Sequence, residues 1–151
     1  MFERAAGGEV ELRLSREERS LLTSLVAELR ALLEAEPRDP SLRRLFPPAY
    51  DDASAEDAYR ELAGGSLLDG RFSALDVLAS TVDRRKLRAD EADAWLRALN
   101  DLRLVLGTRL DVQEDTFLEE LPPTDPRAPA LAVYGYLSWM QEQLVAALSP
   151  D

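Results

Sequence analysis

The stretch from residue 95 to residue 110 most constrains the fold of this chain, because its apolar residues recur at intervals of three and four. Its apolar face comprises Ala92, Trp95, Leu96, Leu99, Leu102 and Leu106, and Leu104 and Val105 extend it near the end. A helix that is apolar almost all round must be covered by other elements. The pattern therefore predicts a buried central helix, around which the rest of the chain packs.

Three further stretches predict helices that could cover this one. Ser15 and Glu18 have the spacing of a capping box, and a helix with a leucine stripe should follow to about residue 34. A second helix should open at Ser66 with a stripe that includes Phe72, Leu75 and Leu78, and a last one should run to about residue 148. The predicted stripes also include Leu21, Leu22, Leu25, Val26, Leu29, Leu32, Leu33, Ala79, Val82, Val133, Leu137, Met140, Leu144 and Ala147.

The first residues predict a short β-hairpin. Gly7 and Gly8 separate two short segments, and Val10, Leu12 and Leu14 alternate with polar residues along the second. A lone hairpin is marginally stable, so we expect it to lie on the helices. The predicted fold is mainly α: a single domain over residues 1–151, with a hairpin in 1–14 and a helical bundle in 15–148 around a central buried helix.

Prolines dominate the connector between residues 36 and 53 and exclude a long helix there. We expect Leu42, Leu45, Phe46 and Tyr50 to anchor it to the core. The acidic residues 51, 52, 56 and 57 lack the spacing of a calcium loop, so a short helix capped by Ser54 is the better interpretation. The sequence predicts neither a metal site nor a cofactor. A second acidic segment, 111–120, lies after the central helix and precedes a proline-rich turn.

Composition excludes several functions for these 151 residues. The absence of Cys and His removes thiol nucleophiles, disulfides and histidine acid–base catalysis. The net charge is −11, of which residues 90–151 carry −8, so that part should repel phosphate backbones and anionic lipid. We expect a cytoplasmic protein with no membrane segment, because the opening residues are polar and the apolar runs are short.

One concentrated basic run, formed by Arg84, Arg85, Lys86 and Arg88, leaves two interpretations open. In a helix-turn-helix protein this run would contact DNA and the next helix would read bases, but Asp90, Glu91 and Asp93 would crowd that helix's N-terminal end. In the simpler interpretation the run is a solvated loop and Asp90 caps the following helix. We favour the loop.

Polar residues interrupt the central helix and form the candidate site. They are Asn100, Asp101, Arg103 and Arg109, and Asn100 is the one Asn of the chain. One hypothesis is a polar network that fixes helix register. Arg97 could contribute to it, because it lies four residues from both Asp93 and Asp101, a spacing at which side chains on a helix can pair. The other is a docking site for a partner, in which Arg103 and Arg109 emerge beside the acidic segment. The network is the interpretation we favour.

The same central stretch carries a resemblance to a known family. The block from Trp95 through the Asn100-Asp101-Leu102-Arg103 motif to Leu110 resembles an actinobacterial family catalogued as a domain of unknown function, the AosR-like oxidative-stress transcriptional regulators. Similar matches occur in the segments 2–4, 45–52, 134–137 and 141–144, so the resemblance covers nearly the whole chain.

This resemblance implies a non-enzymatic regulator, linked to transcription and acting through contact between proteins. Because charge disfavours direct DNA binding, we expect such a regulator to contact a sigma factor or RNA polymerase. Sensing by paired cysteines cannot apply without Cys. Because members of the family are commonly encoded beside the Clp-protease adaptor, an accessory role in Clp-dependent proteolysis is the alternative. A homodimer through the aromatic C-terminal helix stays open.

Overall fold

The structure is a computed structural model that describes residues 2–35, 40–42, 45, 69–110 and 124–149. Its helices are α1 (Arg16–Ala35), α2 (described over 69–81), α3 (Ala89–Arg109) and α4 (Ala128–Leu148). Its strands are β1 (Phe2–Arg4), β2 (Val10–Leu12) and β3 (Lys86–Leu87). The mainly α prediction with a small N-terminal sheet is confirmed.

The N-terminal hairpin forms where the sequence places it. Gly7 and Gly8 both have positive φ, a backbone conformation that costs glycine little, and they lie in a short 3-10 turn, Ala6–Gly8. Strands β1 and β2 pair antiparallel with Phe2 opposite Leu12. Val10 and Leu12 are buried beneath the sheet, as their alternation predicts.

The sheet has a third strand that the sequence did not predict. Strand β3 pairs antiparallel with β2, with Val10 opposite Leu87 and Glu11 opposite Lys86. Leu87 is fully buried, whereas Lys86 is exposed. The prediction of a solvated loop is therefore wrong for residues 86 and 87, because a distant strand supplies their hydrogen bonds.

Helix α1 begins with the predicted capping box. The Ser15 hydroxyl accepts a hydrogen bond from the Glu18 backbone N–H at 3.1 Å, and the Glu18 carboxylate accepts one from the Ser15 N–H at 3.0 Å. Leu22, Val26, Leu29 and Leu33 form the buried face of the helix. Its predicted end is within a residue of the observed end.

Helix α3 is central, as predicted. Helices α1 and α4 pack against it, and Trp95 bonds to α2. The prediction that Asp90 caps this helix is wrong, because the helix already begins at Ala89. The Glu91 carboxylate accepts a hydrogen bond from the Arg88 backbone N–H at 2.9 Å. The helix continues through the buried Gly107 to Arg109, and its buried face includes Ala98 and Val105 while Leu96 and Leu106 are only partly buried.

Trp95 connects three elements in the core. Its ring is fully buried and lies edge-on to Phe2, with centroids 6.1 Å apart. Its indole N–H donates to the Thr81 hydroxyl at 2.8 Å, and that hydroxyl donates to the Val77 carbonyl at 2.6 Å. Sequence periodicity did not predict that Thr81 is buried. It also wrongly predicted a core position for Ala79, which is exposed.

Helix α4 ends at the predicted residue, and Leu131, Leu137, Met140 and Leu144 form its buried face. Leu42 and Leu45 are buried, as expected of anchors in the connector. None of the described helices is long and apolar enough to cross a membrane. Outside the described residues lie the predictions for Phe46 and Tyr50, the Ser54 helix with its neighbouring acids, the Ser66 helix start, the acidic segment 111–120 and residues 122 and 123 of the proline-rich turn.

We predict that Thr81→Val destabilises the protein, because it leaves the buried indole N–H of Trp95 without an acceptor. The expected loss is about 1 to 3 kcal/mol of the free energy of unfolding, measured by urea denaturation. Thr23→Val is the matched control, since Thr23 is exposed and also donates to the carbonyl four residues earlier. The control should change stability by less than about 0.5 kcal/mol, and equal losses in the two variants would contradict the prediction.

Candidate functional site

The polar residues of α3 do not form one group. Asp101 is buried, and its Oδ1 accepts a hydrogen bond from Arg71 Nη1 on α2 at 2.5 Å. Arg71 Nη2 also donates to the Leu45 carbonyl at 2.8 Å. This buried ion pair thus fixes α2, α3 and the connector relative to one another.

Sequence spacing suggested a different partner for Asp101. Arg97 pairs instead with Asp93 at 3.2 Å, one turn earlier on the exposed side of the helix. The expected Arg97–Asp101 pair is therefore wrong, because Asp101 faces inward to α2 while Arg97 is largely exposed. Arg71 was missed, since no local pattern reveals a cross-helix partner thirty residues away.

Asn100 and Arg103 are adjacent, whereas Arg109 is elsewhere. The Asn100 side-chain oxygen accepts a hydrogen bond from Arg103 Nη2 at 3.1 Å, and both residues are partly buried. Arg109 is exposed at the end of α3 and borders a small depression, about 50 Å³, between α1 and α3. The four candidate residues consequently occupy at least two separate places.

Burial and hydrogen bonding oppose each other at Asp101. Burial raises the pKa of its carboxyl group, and the hydrogen bond and positive charge of Arg71 act to lower it, with burial the stronger effect. Arg71 thus offsets part, but not all, of the cost of removing a charge on Asp101 from water.

Two of the four residues of the basic run, Arg84 and Arg88, pair with acids of α3. Arg84 Nη1 lies 2.5 Å from the Glu91 carboxylate, whose side chain is nearly buried. Arg88 lies within 3.5 Å of both Asp90 and Glu91. Arg85 and Lys86 are exposed, and the Arg85 carbonyl accepts a hydrogen bond from Leu12. The run therefore stabilises the junction between α2, β3 and α3.

Helix α4 presents a second candidate surface. Trp139 and Val145 are the exposed large hydrophobic residues in the described part of the chain, with 45% and 46% of their areas accessible. The Trp139 ring lies 6.3 Å from the ring of Tyr136. One charged residue, Glu142, occurs in the 21 residues of this helix. Two exposed large apolar side chains on a helix with a single charge make α4 a candidate contact surface in a chain of net charge −11.

Tyr136 links this surface to the start of α1, because its hydroxyl donates to the Glu18 carboxylate. Burial and the Glu18 charge raise the pKa of Tyr136. Burial also acts to raise the pKa of Glu18, but hydrogen bonds from Ser15 and Tyr136 outweigh it and lower that pKa below its ordinary 4.5. Among the described residues no cluster of three or more acidic side chains could hold a metal ion.

Comparison with known proteins places the chain in a family. The family model described as a domain of unknown function, DUF2017, matches residues 1–148, and the chain therefore belongs to this family. The resemblance seen in the central helix is confirmed.

Relatives in mycobacteria carry the name of a regulator. The chain is 37% identical over 130 residues to a protein of Mycobacterium tuberculosis named "Oxidative stress regulator AosR" and equally to one of Mycobacterium bovis with the same name. A Mycobacterium leprae relative, 36% identical, is named "Putative oxidative stress regulator AosR". These matches cover 74% of this chain but 59% of the relatives, so the chain spans about three fifths of their length. No solved structure matches it.

Replacing Asp101 with Ala should destabilise the protein, because an N–H group of the partly buried Arg71 then loses its hydrogen-bond acceptor on α3. We expect a loss of about 1 to 3 kcal/mol in the free energy of unfolding. Asp93→Ala breaks an exposed pair on the same helix and should cost less than about 0.5 kcal/mol. Similar losses in the two variants would refute a special role for the buried pair.

The Glu18–Tyr136 contact should make stability depend on pH. Because the pKa of Glu18 is lower in the folded chain than in the unfolded chain, its contribution is complete above the ordinary value and is lost as pH falls through the lowered value. The stability advantage of the wild type over Glu18→Gln should therefore shrink between about pH 6 and about pH 3 in denaturation experiments. Glu17→Gln removes an exposed charge from the same turn and serves as control; identical pH profiles for both variants would contradict the prediction.

Proposed function

We propose that this chain is a regulatory protein without catalytic activity that acts by contact with another protein. The observation that carries the proposal is the exposure of two large apolar side chains, Trp139 and Val145, on α4, a helix whose one charged residue is Glu142. Exposed aromatic residues at such a surface supply much of the binding energy of protein interfaces. The names of the mycobacterial relatives support a role in the response to oxidative stress.

The proposed partner is a sigma factor or RNA polymerase. Contact with a protein of the transcription machinery fits this chain better than direct contact with DNA, since Arg84 and Arg88 are already paired with acids of α3. Those acids, together with the net charge of −11, would repel the DNA backbone. Control of transcription would then follow from occupation of a protein surface.

The mode of sensing in this proposal does not involve thiols. The 151 residues contain no Cys, and Met140, the one sulfur-bearing residue within the described range, is fully buried in the core. The chain would therefore respond to a partner or to a ligand, and oxidation would be detected by another component.

The test is an affinity purification of the full tagged chain from nuclease-treated lysate of the native host, with partners identified by mass spectrometry. Sigma factor or RNA polymerase should be enriched with the wild type and with Trp139→Phe, which keeps an apolar ring. Trp139→Glu should reduce that enrichment at least tenfold, a loss of about 1.4 kcal/mol or more, because a charge enters the apolar surface.

Thermal unfolding of both variants provides the control, and the exposure of Trp139 leads us to expect midpoints close to that of the wild type. Enrichment that Trp139→Glu leaves unchanged would reject the α4 surface as the contact. Recovery of Clp components in place of the transcription machinery would reject the proposed partner and favour the accessory role in proteolysis.

A further inference from the structure

A polar cavity of about 240 Å³, open to solvent on one side, lies between α2 and α3. Gly70, Arg71 and Ala74 line it from α2, and Arg97, Asn100 and Asp101 line it from α3. Pockets for drug-sized ligands begin at roughly 300 Å³, whereas a water occupies about 30 Å³ of liquid. The cavity can therefore accept a small ligand or the end of a side chain.

Arg71 forms a fixed positive wall of this cavity. Its two terminal nitrogens donate to Asp101 and to the Leu45 carbonyl, at 2.5 Å and 2.8 Å. Two anchors of this kind hold the planar guanidinium group in one orientation, so little conformational entropy is lost when an anion approaches it. Among the described residues of the lining Asp101 is the one acid, and one of its carboxylate oxygens already accepts a hydrogen bond from Arg71.

Asn100 and Arg97 provide donors that a ligand can reach. The Asn100 side-chain oxygen is already bonded to Arg103, so its NH2 group is what Asn100 can offer to the cavity. The Arg97 side chain is 72% exposed, and its pair with Asp93 is an exposed contact along one helix, worth only about 0.3 to 0.5 kcal/mol. Arg97 can therefore exchange Asp93 for a ligand at little cost.

The local charge also differs from that of the surrounding chain. Residues 90–151 contain four basic residues, namely Arg97, Arg103, Arg109 and Arg127. Arg97 lines the cavity, and Arg103 donates a hydrogen bond to the side-chain oxygen of Asn100. Among the described residues at this place, three arginines, Arg71, Arg97 and Arg103, lie with two aspartates, Asp101 and Asp93, that pair with the first two. The balance is positive beside an otherwise acidic stretch, which would attract an anion that the rest of the stretch repels.

We infer that this cavity binds the oxyanion group of a small ligand, a carboxylate or a phosphate, through the guanidinium of Arg97 and the amide NH2 of Asn100, against the wall formed by Arg71. None of the lining residues lies on α4. The inference goes beyond the proposed function and does not depend on it, because ligand binding here can be measured without any protein partner.

The inference can be tested by NMR titration. Because Asn100 is the one Asn of the chain, its side-chain NH2 group gives the single pair of asparagine signals in a ¹H–¹⁵N spectrum. Sodium succinate and sodium phosphate are titrated separately into the full chain, up to about 50 mM, with sodium chloride of equal ionic strength as the reference. A dissociation constant near 1 mM corresponds to about 4 kcal/mol and would saturate well within this range.

We expect saturable shifts of the Asn100 NH2 signals with at least one oxyanion and none with chloride. Saturation by succinate alone would identify a carboxylate site, by phosphate alone a phosphate site, and by both a general oxyanion site. Arg97→Gln should weaken binding at least tenfold. Arg127→Gln is the matched control, since Arg127 is also exposed and paired with a neighbouring aspartate, Asp125, and it should leave binding unchanged.

Two results would overturn the inference. One is the absence of saturable shifts with both oxyanions in a protein whose ¹H–¹⁵N spectrum shows that it is folded. The other is equal affinity in the wild type and Arg97→Gln, which would place any bound anion outside this cavity. Because Arg97 is exposed, we expect its replacement to leave the fold intact, and circular dichroism checks this.

Discussion

The burial of the Trp95 indole is the constraint on which the rest of the structure depends. A ring of this size contributes much of the core's apolar area, but its N–H group must find an acceptor when it leaves water. Thr81 provides that acceptor from the last turn of α2, and Phe2 packs edge-on from β1. Two segments distant in sequence, β1 and the end of α2, are therefore held at one point on α3.

Arginine acts in this fold mainly as a structural connector. Arg19 of α1 donates to the Leu14 carbonyl at 3.2 Å, to the Arg84 carbonyl at 3.2 Å and to the Val82 carbonyl. A guanidinium group suits this position because its several N–H donors can reach carbonyls at the end of a helix that have no partner within it. The role of Arg19 is thus structural and needs no nucleic acid to account for it.

The features that the sequence could predict are those with local causes. The Ser15–Glu18 capping box and the leucine stripe of α1 follow from spacings within a few turns, and both appear in the structure. The two-residue strand β3 and the Arg71–Asp101 pair could not be predicted, because each needs a partner far away in the sequence. The candidate site was located only in part for the same reason: Asn100 and Asp101 line the cavity, while Arg109 lies elsewhere.

Helix α3 determines how the two proposed sites relate to each other. Its apolar face is covered in part by α4, and its polar residues Arg97, Asn100 and Asp101 line the cavity toward α2. The Trp95–Thr81 hydrogen bond and the Arg71–Asp101 pair both fix α3 against α2, so a ligand in the cavity meets a rigid wall. An anion bound there would change local charge more readily than helix position, since moving α3 would break both buried contacts. An effect of such a ligand on a partner at α4 would accordingly be expected to act through stability and electrostatics, and much less through a displacement of the helix.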